Sequence, residues 1–285
     1  MNSNRRQFLK KVLKLAAGGA VLTAGGGFGG YQYAANVETE WLDVEKLQIP
    51  LKNLSPTLEG FKIVQLSDLH LYPFTTIEFI KKAVTMVGAL QPDLVALTGD
   101  FVLHKAEAIF ELAPVLARLN PTYGLYAVFG NHDLWTNQEV VRAGLTEQGI
   151  PVLENAGRAI GVGPAQLYVA GVDDAWSGHP DLSEALAAAP SDVPVVLLAH
   201  EPDLADRFSL DGRVSLQLSG HTHGGQVRLP GIGPLILPRY GKKYDLGLYQ
   251  VNDTWLYTNR GLGVIGPPIR FNCRPEITEF TLVRA

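Results

Sequence analysis

The segment Phe61–His70 reads FKIVQLSDLH, an apolar run that ends at an Asp-x-His group. A short apolar and β-branched run bounded by polar or turn residues is typical of a strand, here Phe61–Ser67. The same arrangement recurs five times downstream and predicts strands over Asp93–Thr98, Leu125–Phe129, Leu167–Gly171, Val193–Ala199 and Val214–Leu218. These runs decide the fold class, because five of the six stop at polar residues where a strand of a sheet would end.

Helical patterns lie between the predicted strands, with apolar positions recurring at three- and four-residue spacing. They cover about residues 76–90, 105–118, 137–148 and 181–188. Alternating strands and helices predict an α/β fold with largely parallel strands. After His223 no helical pattern separates the apolar runs, so we expect antiparallel strands in the C-terminal third. Those runs are Val227–Leu229, Leu246–Val251, Trp255–Thr258 and Ile277–Val283.

Polar clusters follow five of the predicted strands, and the carboxyl ends of parallel strands lie along one sheet edge, where α/β sheets bind ligands. The clusters contain carboxylate, amide and imidazole groups but no thiolate, a set that suits Mn, Fe or Zn. Seven side chains would give four bonds to each of two ions if one carboxylate bridges. They are Asp68, His70, Asp100, Asn131, His200, His221 and His223.

The order of these motifs resembles the calcineurin-like metallophosphoesterase superfamily over roughly residues 60–285. The motifs are D-x-H, G-D, G-N-H-D, H and G-H-x-H, and the runs GHTHGGQ and RFNCRPEI resemble an exported bacterial branch. The resemblance implies a four-layer αββα sandwich, in which two mixed β-sheets are flanked by helices. It also implies a phosphoester hydrolase with two divalent metal ions.

The resemblance assigns a role to each matching residue. Asp68, His70, Asp100 and His223 would hold the first ion. Asp100, as the bridge, would hold the second with Asn131, His200 and His221. His132 matches a histidine that binds no metal and stabilises or protonates the departing oxygen. The chain lacks the Asp-Arg-Gly group that follows the second motif in protein phosphatases, and Asp133 replaces their Glu, which argues against a phosphoprotein substrate.

The substrate class depends on residues around the site. Leu229–Tyr240 is almost entirely apolar and is followed by cations, so it would suit a lipid tail and a phosphate head; a turn packed on the core is an equal alternative. Candidate rim residues are His179, Arg239, Lys242 and Lys243. The expected function is a phosphodiesterase or pyrophosphatase acting on an envelope or lipid-linked phosphate. The alternatives are a phosphomonoesterase or nucleotide phosphodiesterase on soluble substrates, and a non-catalytic, metal-stabilised envelope binding protein.

The N-terminal segment, residues 1–37, resembles a twin-arginine export signal, with Arg5-Arg6 and no charged residue from Leu15 to Val37. It predicts export by the twin-arginine translocase, followed by cleavage or by retention as an anchor at the membrane surface. We take residues 38–59 as an N-terminal extension of the body and residues 60–285 as the phosphoesterase domain. The segment carries +5, so a net charge of −4 leaves −9 on the rest, which argues against nucleic acid as a partner. The single cysteine excludes a disulfide framework.

Overall fold

Two mixed β-sheets pack face to face in the computed structural model, which describes residues 27–285. The first residues of the predicted export signal, including Arg5 and Arg6, lie outside the described residues. The strands are β1 (Asp43–Leu51), β2 (Lys62–Leu66), β3 (Leu94–Thr98), β4 (Leu125–Val128), β5 (Ala156–Val162), β6 (Ala165–Gly171), β7 (Val195–Leu198), β8 (Val214–Ser219), β9 (Arg228–Leu229), β10 (Gly233–Pro234), β11 (Gly247–Val251), β12 (Thr254–Thr258) and β13 (Glu276–Arg284).

The α-helices lie on the two outer faces and at the polar edge. They are α1 (residues 27–36), α2 (Ile77–Leu90), α3 (Ile109–Leu116), α4 (Asn131–Thr136), α5 (Gln138–Glu147), α6 (Leu182–Ala185) and α7 (Ala205–Phe208). Short 3₁₀ turns occupy Glu38–Glu40, Pro56–Leu58, Ala106–Ala108, Pro202–Leu204, Ser209–Asp211 and His223–Gly225. Within the described part of the chain, none of the helices combines the length and apolar character needed to cross a membrane.

The first sheet has the order β1-β13-β2-β3-β4, and the second has the order β11-β12-β8-β7-β6-β5. Strands β2, β3 and β4 are mutually parallel, as are β6, β7 and β8. The carboxyl ends of these two groups of strands carry the polar clusters.

Along each central strand, successive side chains point to opposite faces of the sheet and so contribute to two different cores. Ile63 and Leu94 join the core between the two sheets, whereas Val64 and Val95 join the core beneath α2, α3 and α5. Side chains of a strand point to opposite faces in turn, so a strand covered on both faces reads as a continuous apolar run. A third core packs α6 and α7 on the second sheet. The predicted four-layer αββα sandwich is therefore confirmed.

The expectation of an antiparallel C-terminal third is wrong for two strand pairs. β12 pairs with β8 in parallel, and β13 pairs with β1 in parallel, while β11–β12 and β13–β2 are antiparallel as expected. Two neighbouring parallel strands must be joined by a long crossover connection, and that connection need not contain a helix. Residues 220–253, which contain no α-helix, connect β8 to β12, and residues 52–275 connect β1 to β13.

Two edge strands were not predicted from the sequence. β1 carries Asp43, Glu45 and Lys46, because one side of an edge strand faces water. β5 contains two glycines and is largely exposed. β1 also places nine of the 22 residues of the predicted N-terminal extension in the first sheet.

Candidate metal centre

The predicted ligands follow five strands of the two sheets at one common edge. Asp68 follows β2, Asp100 follows β3, Asn131 follows β4, His200 follows β7 and His221 follows β8. Ligand atoms of Asp68, His70 and His223 lie within 4.8 Å of one another, as do those of Asp68, Asp100 and His200. The sheet edge thus brings the sequence-predicted ligands together, although their individual roles stay predictions.

The backbone turns sharply at five of these residues. Asp68, His70, Asp100, His221 and His223 have φ values of 50°, 46°, 56°, 72° and 51°. Left-handed conformations cost a residue other than glycine about 1–3 kcal/mol, and they persist where the surrounding structure holds them. Hydrogen bonds between strand ends supply that support, including Asp68 N to Gly99 O at 3.0 Å and His70 N to Asp100 O at 3.0 Å.

Three side chains form the first half of the centre. His70 Nε2 lies 3.0 Å from His223 Nε2, and His223 Nε2 lies 3.3 Å from Asp68 Oδ1. Two ligands bound at about 2.1 Å to one ion are separated by about 3.0–3.4 Å, so the spacing fits a shared cation. Burial lowers the pKa of His70 to about 3, which leaves a neutral imidazole with a lone pair for a metal.

The second half contains buried polar atoms without partners. Asn131 Oδ1 and His200 Nε2 have no hydrogen bond, although both residues are almost fully buried. Such an atom costs about 1–3 kcal/mol, and a bound cation would satisfy both of them. His200 Nδ1 lies 2.6 Å from Thr98 O and His221 Nε2 lies 2.7 Å from Arg239 O, so each ring donates through one nitrogen and leaves the other for a metal.

Asp100 lies between the two halves. Its Oδ2 is 3.4 Å from His70 Nε2 and 3.3 Å from His200 Nε2, while its Oδ1 accepts a hydrogen bond from His132 N at 2.8 Å. Burial alone would raise the pKa of Asp100, but His200 and His70 hold it well below the usual range of a carboxyl. One ionised carboxylate facing both groups of nitrogens suits a bridging ligand, and the residues present fit two divalent cations.

His132 stands above this cluster and lines the adjoining cavity. Its ring packs edge-on against His70 with centroids 4.7 Å apart, and its Nδ1 lies 3.4 Å from Leu103 O. This contact occupies Nδ1 and leaves Nε2 as the other ring nitrogen. His132 belongs to α4, which begins immediately after β4.

Asp133 has a structural role that sequence reasoning missed. Its buried carboxylate accepts hydrogen bonds from the backbone N–H groups of Asp100, Phe101 and Gly130 at 2.9, 2.9 and 3.0 Å. It therefore ties the end of β3 to the start of α4. The available signal was a carboxylate in the first turn after a glycine, where it can accept free N–H groups of a helix start.

An apolar cavity of about 430 Å³ opens beside the ligands. Trp135 and Trp176 stand on one side of it, with ring centroids 5.1 Å apart, and Trp135 Nε1 donates to Ser177 Oγ at 2.8 Å. The other apolar lining residues are Val227, Leu235, Ile236, Pro238, Ile265, Pro267 and Ile269. Sequence reasoning missed the tryptophans, although Trp135 follows His132 by three positions and so shares its helix face.

The four candidate rim residues lie outside the lining of this cavity. Arg239 stacks on Tyr240, and Lys243 pairs with Asp206 at 2.6 Å. Lys242 and His179 are exposed. A role for any of the four in substrate binding stays a prediction.

Two packed mixed sheets with a buried carboxylate–imidazole cluster at their shared edge define a metal-dependent phosphoester hydrolase. The chain belongs to the calcineurin-like phosphoesterase family, whose model matches residues 61–225. The metallophosphoesterase YkuE of Bacillus subtilis (strain 168) is 39% identical over 98% of this chain and 97% of its own length. The phosphodiesterase YaeI of Escherichia coli (strain K12) is 34% identical over 98% of this chain and 99% of its own length.

A solved structure agrees with the fold. The crystal structure of the protein TT1561 from Thermus thermophilus matches 71% of this chain and 90% of that chain, with a TM-score of 0.50 and 15% identity. At that identity the likeness shows the fold alone.

Proposed function

We propose that this phosphoesterase is a two-metal phosphodiesterase or pyrophosphatase whose substrate carries a lipid chain on its phosphate group. The observation that carries the proposal is the apolar cavity of about 430 Å³ that begins at Asp100, Asn131 and His132. Cavities of this size hold small ligands. Apolar walls with a few polar groups at one end favour a ligand that has an apolar body and one polar end.

Different residues of the site would have different roles in the reaction. Two divalent ions of Mn, Zn or Fe would activate a water and neutralise phosphoryl oxygens during in-line displacement. Asp100 orients both halves of the ligand set and also holds the amide of His132. His132 would deliver a proton or a hydrogen bond to the departing alkoxide through Nε2. The tryptophans and the apolar wall would exclude water from the side of the leaving group.

The residues that line the cavity favour a phosphodiester substrate over a phosphomonoester. A phosphate monoester carries an additional negative charge, which a binding site commonly meets with Arg or Lys. Among the described residues that line the cavity there is no Lys or Arg. The nearby Lys243 is paired with Asp206, and Arg239 lies against Tyr240. The name of the relative YaeI, a phosphodiesterase, supports the same assignment.

The segment after the H-x-H motif supports a lipid-facing role. β9 and β10 form a hairpin in which Arg228 pairs with Pro234 and Leu229 with Gly233, and we call residues 229–238 the apolar hairpin. Its Ile232, Leu235 and Ile236 side chains are 73%, 55% and 80% exposed. Side chains packed on the core would be buried, so the exposure favours a rim over the alternative of a core-packed turn.

A triple substitution tests the substrate class. Changing Ile232, Leu235 and Ile236 to Ser should leave thermal stability and hydrolysis of bis(p-nitrophenyl) phosphate nearly unchanged, because exposed substitutions cost within about 0.5 kcal/mol. Hydrolysis of p-nitrophenyl hexadecyl phosphate should fall more than tenfold, since each buried CH₂ contributes about 0.8 kcal/mol.

The matched control replaces two exposed apolar residues elsewhere, Phe110 and Leu210, with Ser. It should leave both activities unchanged. Equal loss of both activities in the hairpin variant, or no loss of either, would exclude a lipid-chain subsite at the hairpin.

The N-terminal segment bears on where the enzyme acts. The Arg5-Arg6 pair and the uncharged stretch Leu15–Val37 support export through the twin-arginine translocase. We propose that the enzyme works outside the cytoplasmic membrane, at the membrane surface, with this segment as a signal or anchor. Phosphoesters of lipids and of envelope precursors are substrates available there.

A further inference from the structure

Four uncharged segments meet on one face of the molecule. They are residues 27–37, residues 71–77, the apolar hairpin and the loop of residues 261–269, and we call them together the docking face. They contain no Asp, Glu, Lys or Arg, although such residues make up 18% of the chain. Charged residues border these segments, including Glu40 in a small cavity beside α1, Glu111 at Tyr72 and Arg228 before the hairpin.

A shared cavity wall and a hydrogen bond link the hairpin and residues 71–77 to the loop of residues 261–269. Leu235 and Ile236 of the hairpin line the cavity together with Pro267 of the loop. On the other side, a Cβ placed on Gly266 would lie 3.9 Å from the ring of Phe74. Val264 N also donates to Thr75 Oγ1 at 3.3 Å.

Helix α1 joins the face at the same loop. Ala34 is buried, and its carbonyl accepts a hydrogen bond from Arg270 N at 2.9 Å. Ala35, Phe74 and Pro268 line a small cavity of about 280 Å³ between them. The end of α1 is thus held beside the loop that borders the metal-centre cavity.

Large apolar side chains of these segments are exposed. Phe28 and Tyr31 of α1 are 66% and 55% exposed, and Phe74 is 40% exposed. With Ile232, Leu235 and Ile236 of the hairpin they form the apolar part of the face. Exposed apolar groups bordered by polar residues mark interaction sites on proteins.

We infer that the docking face lies on a lipid bilayer, with the hairpin tip inserted at the boundary between headgroups and acyl chains. The inference rests on the proposed membrane-surface location and names the surface that makes the contact. It places the mouth of the catalytic cavity against the bilayer, so that a lipid-linked phosphate enters the site without leaving the membrane.

Two observations select a bilayer as the occupant. The uncharged stretch Leu15–Val37 includes α1, so part of the segment best suited to lipid belongs to the same face. Arg239 and Lys242 follow the hairpin at its edge and could meet anionic headgroups while the apolar side chains enter the interface.

A fluorescent probe at the hairpin tests this arrangement in the full chain. The native Cys273 is 1% exposed, so Ile236→Cys offers one accessible thiol for an NBD maleimide. Leu210→Cys is the matched control, because Leu210 is 76% exposed but lies outside the docking face. Both labelled proteins are mixed with vesicles of phosphatidylcholine and phosphatidylglycerol.

We expect NBD emission at position 236 to rise severalfold and shift to the blue with vesicles, and to be quenched by lipids that carry a nitroxide on the acyl chain. Emission at position 210 should stay unchanged. Because both proteins carry the same N-terminal segment, attachment through that segment alone gives equal signals at the two positions and overturns the inference. A rise at position 236 with protein concentration, without vesicles, would instead identify an interface between two copies.

The outcome separates this inference from the proposed function. Vesicle-dependent emission without hydrolysis of p-nitrophenyl hexadecyl phosphate in detergent would support the docking face and remove the lipid-linked substrate. Hydrolysis without a vesicle-dependent change would retain the substrate class and remove the docking face.

Discussion

The Nε2 atoms of His70 and His223 lie 3.0 Å apart, although the two residues are 153 positions apart in the sequence. Their rings are stacked, with centroids 4.9 Å apart and planes 21° from parallel. Burial lowers the pKa of both imidazoles, so both rings are neutral in this geometry. Two neutral nitrogens whose lone pairs converge repel each other unless a proton or a cation lies between them.

Metal content should depend on Asp100 more than on any single histidine. We expect the full chain purified with Mn to hold close to two ions per molecule, and Asp100→Ala to lose most of both. The reason is that Asp100 Oδ2 faces His70 and His200 at 3.4 and 3.3 Å. Elemental analysis measures the content, with Asp206→Ala as a surface control. Two ions retained in Asp100→Ala would exclude a bridging role.

Replacing His132 should slow turnover without removing metal. We expect His132→Ala to lower kcat for bis(p-nitrophenyl) phosphate by about 10²–10⁴, the usual contribution of one general acid or placed donor. His104→Ala is the control, since His104 is exposed in a loop. Steady-state kinetics measures turnover, and elemental analysis measures the metal content. Loss of metal in His132→Ala would make His132 a ligand instead.

The hydrogen bond between Trp135 and Ser177 links α4 to the loop that carries Trp176. We expect Ser177→Ala and Trp135→Phe each to raise KM for bis(p-nitrophenyl) phosphate about fivefold, because a hydrogen bond contributes about 1 kcal/mol. The double variant should show no further loss, since both changes remove the same bond. Additive losses in this double-mutant cycle would show that the two side chains act independently.

Arg270 should stabilise the fold strongly. Its fully buried guanidinium donates to the carbonyls of Arg260, Gly261, Gly263 and Cys273. Arg270→Met leaves these acceptors without a donor, and we expect the free energy of unfolding to fall by about 3 kcal/mol or more.

Urea denaturation measures this loss, and Arg284→Met, at an exposed position, is its control. Arg270→Lys, which keeps the charge and some donors, should lose less. A Met variant as stable as the control would show that the buried cation contributes nothing net.

Export should require the two consecutive arginines near the N-terminus. We expect replacement of Arg5 and Arg6 by Lys to leave the protein in the cytoplasm, because the twin-arginine receptor reads the pair. Cell fractionation with antibody detection measures the distribution, and Lys10→Arg together with Lys11→Arg serves as the control. Unchanged appearance outside the cytoplasmic membrane would contradict this route.

Much of the central fold was predictable, because strands covered on both faces are largely apolar. Runs such as Phe61–Ser67 therefore stand out from the surrounding sequence. The edge strands β1 and β5 carry charged or glycine residues on their exposed sides and give no comparable signal. Strand direction in the C-terminal third was misjudged because a crossover without a helix leaves no periodic pattern.

The residue types of the metal centre could be predicted from the sequence. The apolar cavity beside it could not. Asp68, His70 and their partners are chemically distinctive and occur at strand ends. Trp176 and Ile265 are ordinary apolar residues of loops, and only the folded chain shows that they face the same space. Arg270 likewise reads as a surface cation in the sequence, although four backbone carbonyls surround it in the fold.

The position of β13 constrains how the chain can fold during synthesis. The last strand lies between β1 and β2 in the first sheet, so β1 has no hydrogen-bonded neighbour until residues near 284 have left the ribosome. Contacts between distant parts of a chain form late and slowly. A growing chain that has completed the second sheet still exposes unpaired edges of β1 and β2, and the first sheet is completed only when β13 pairs with both.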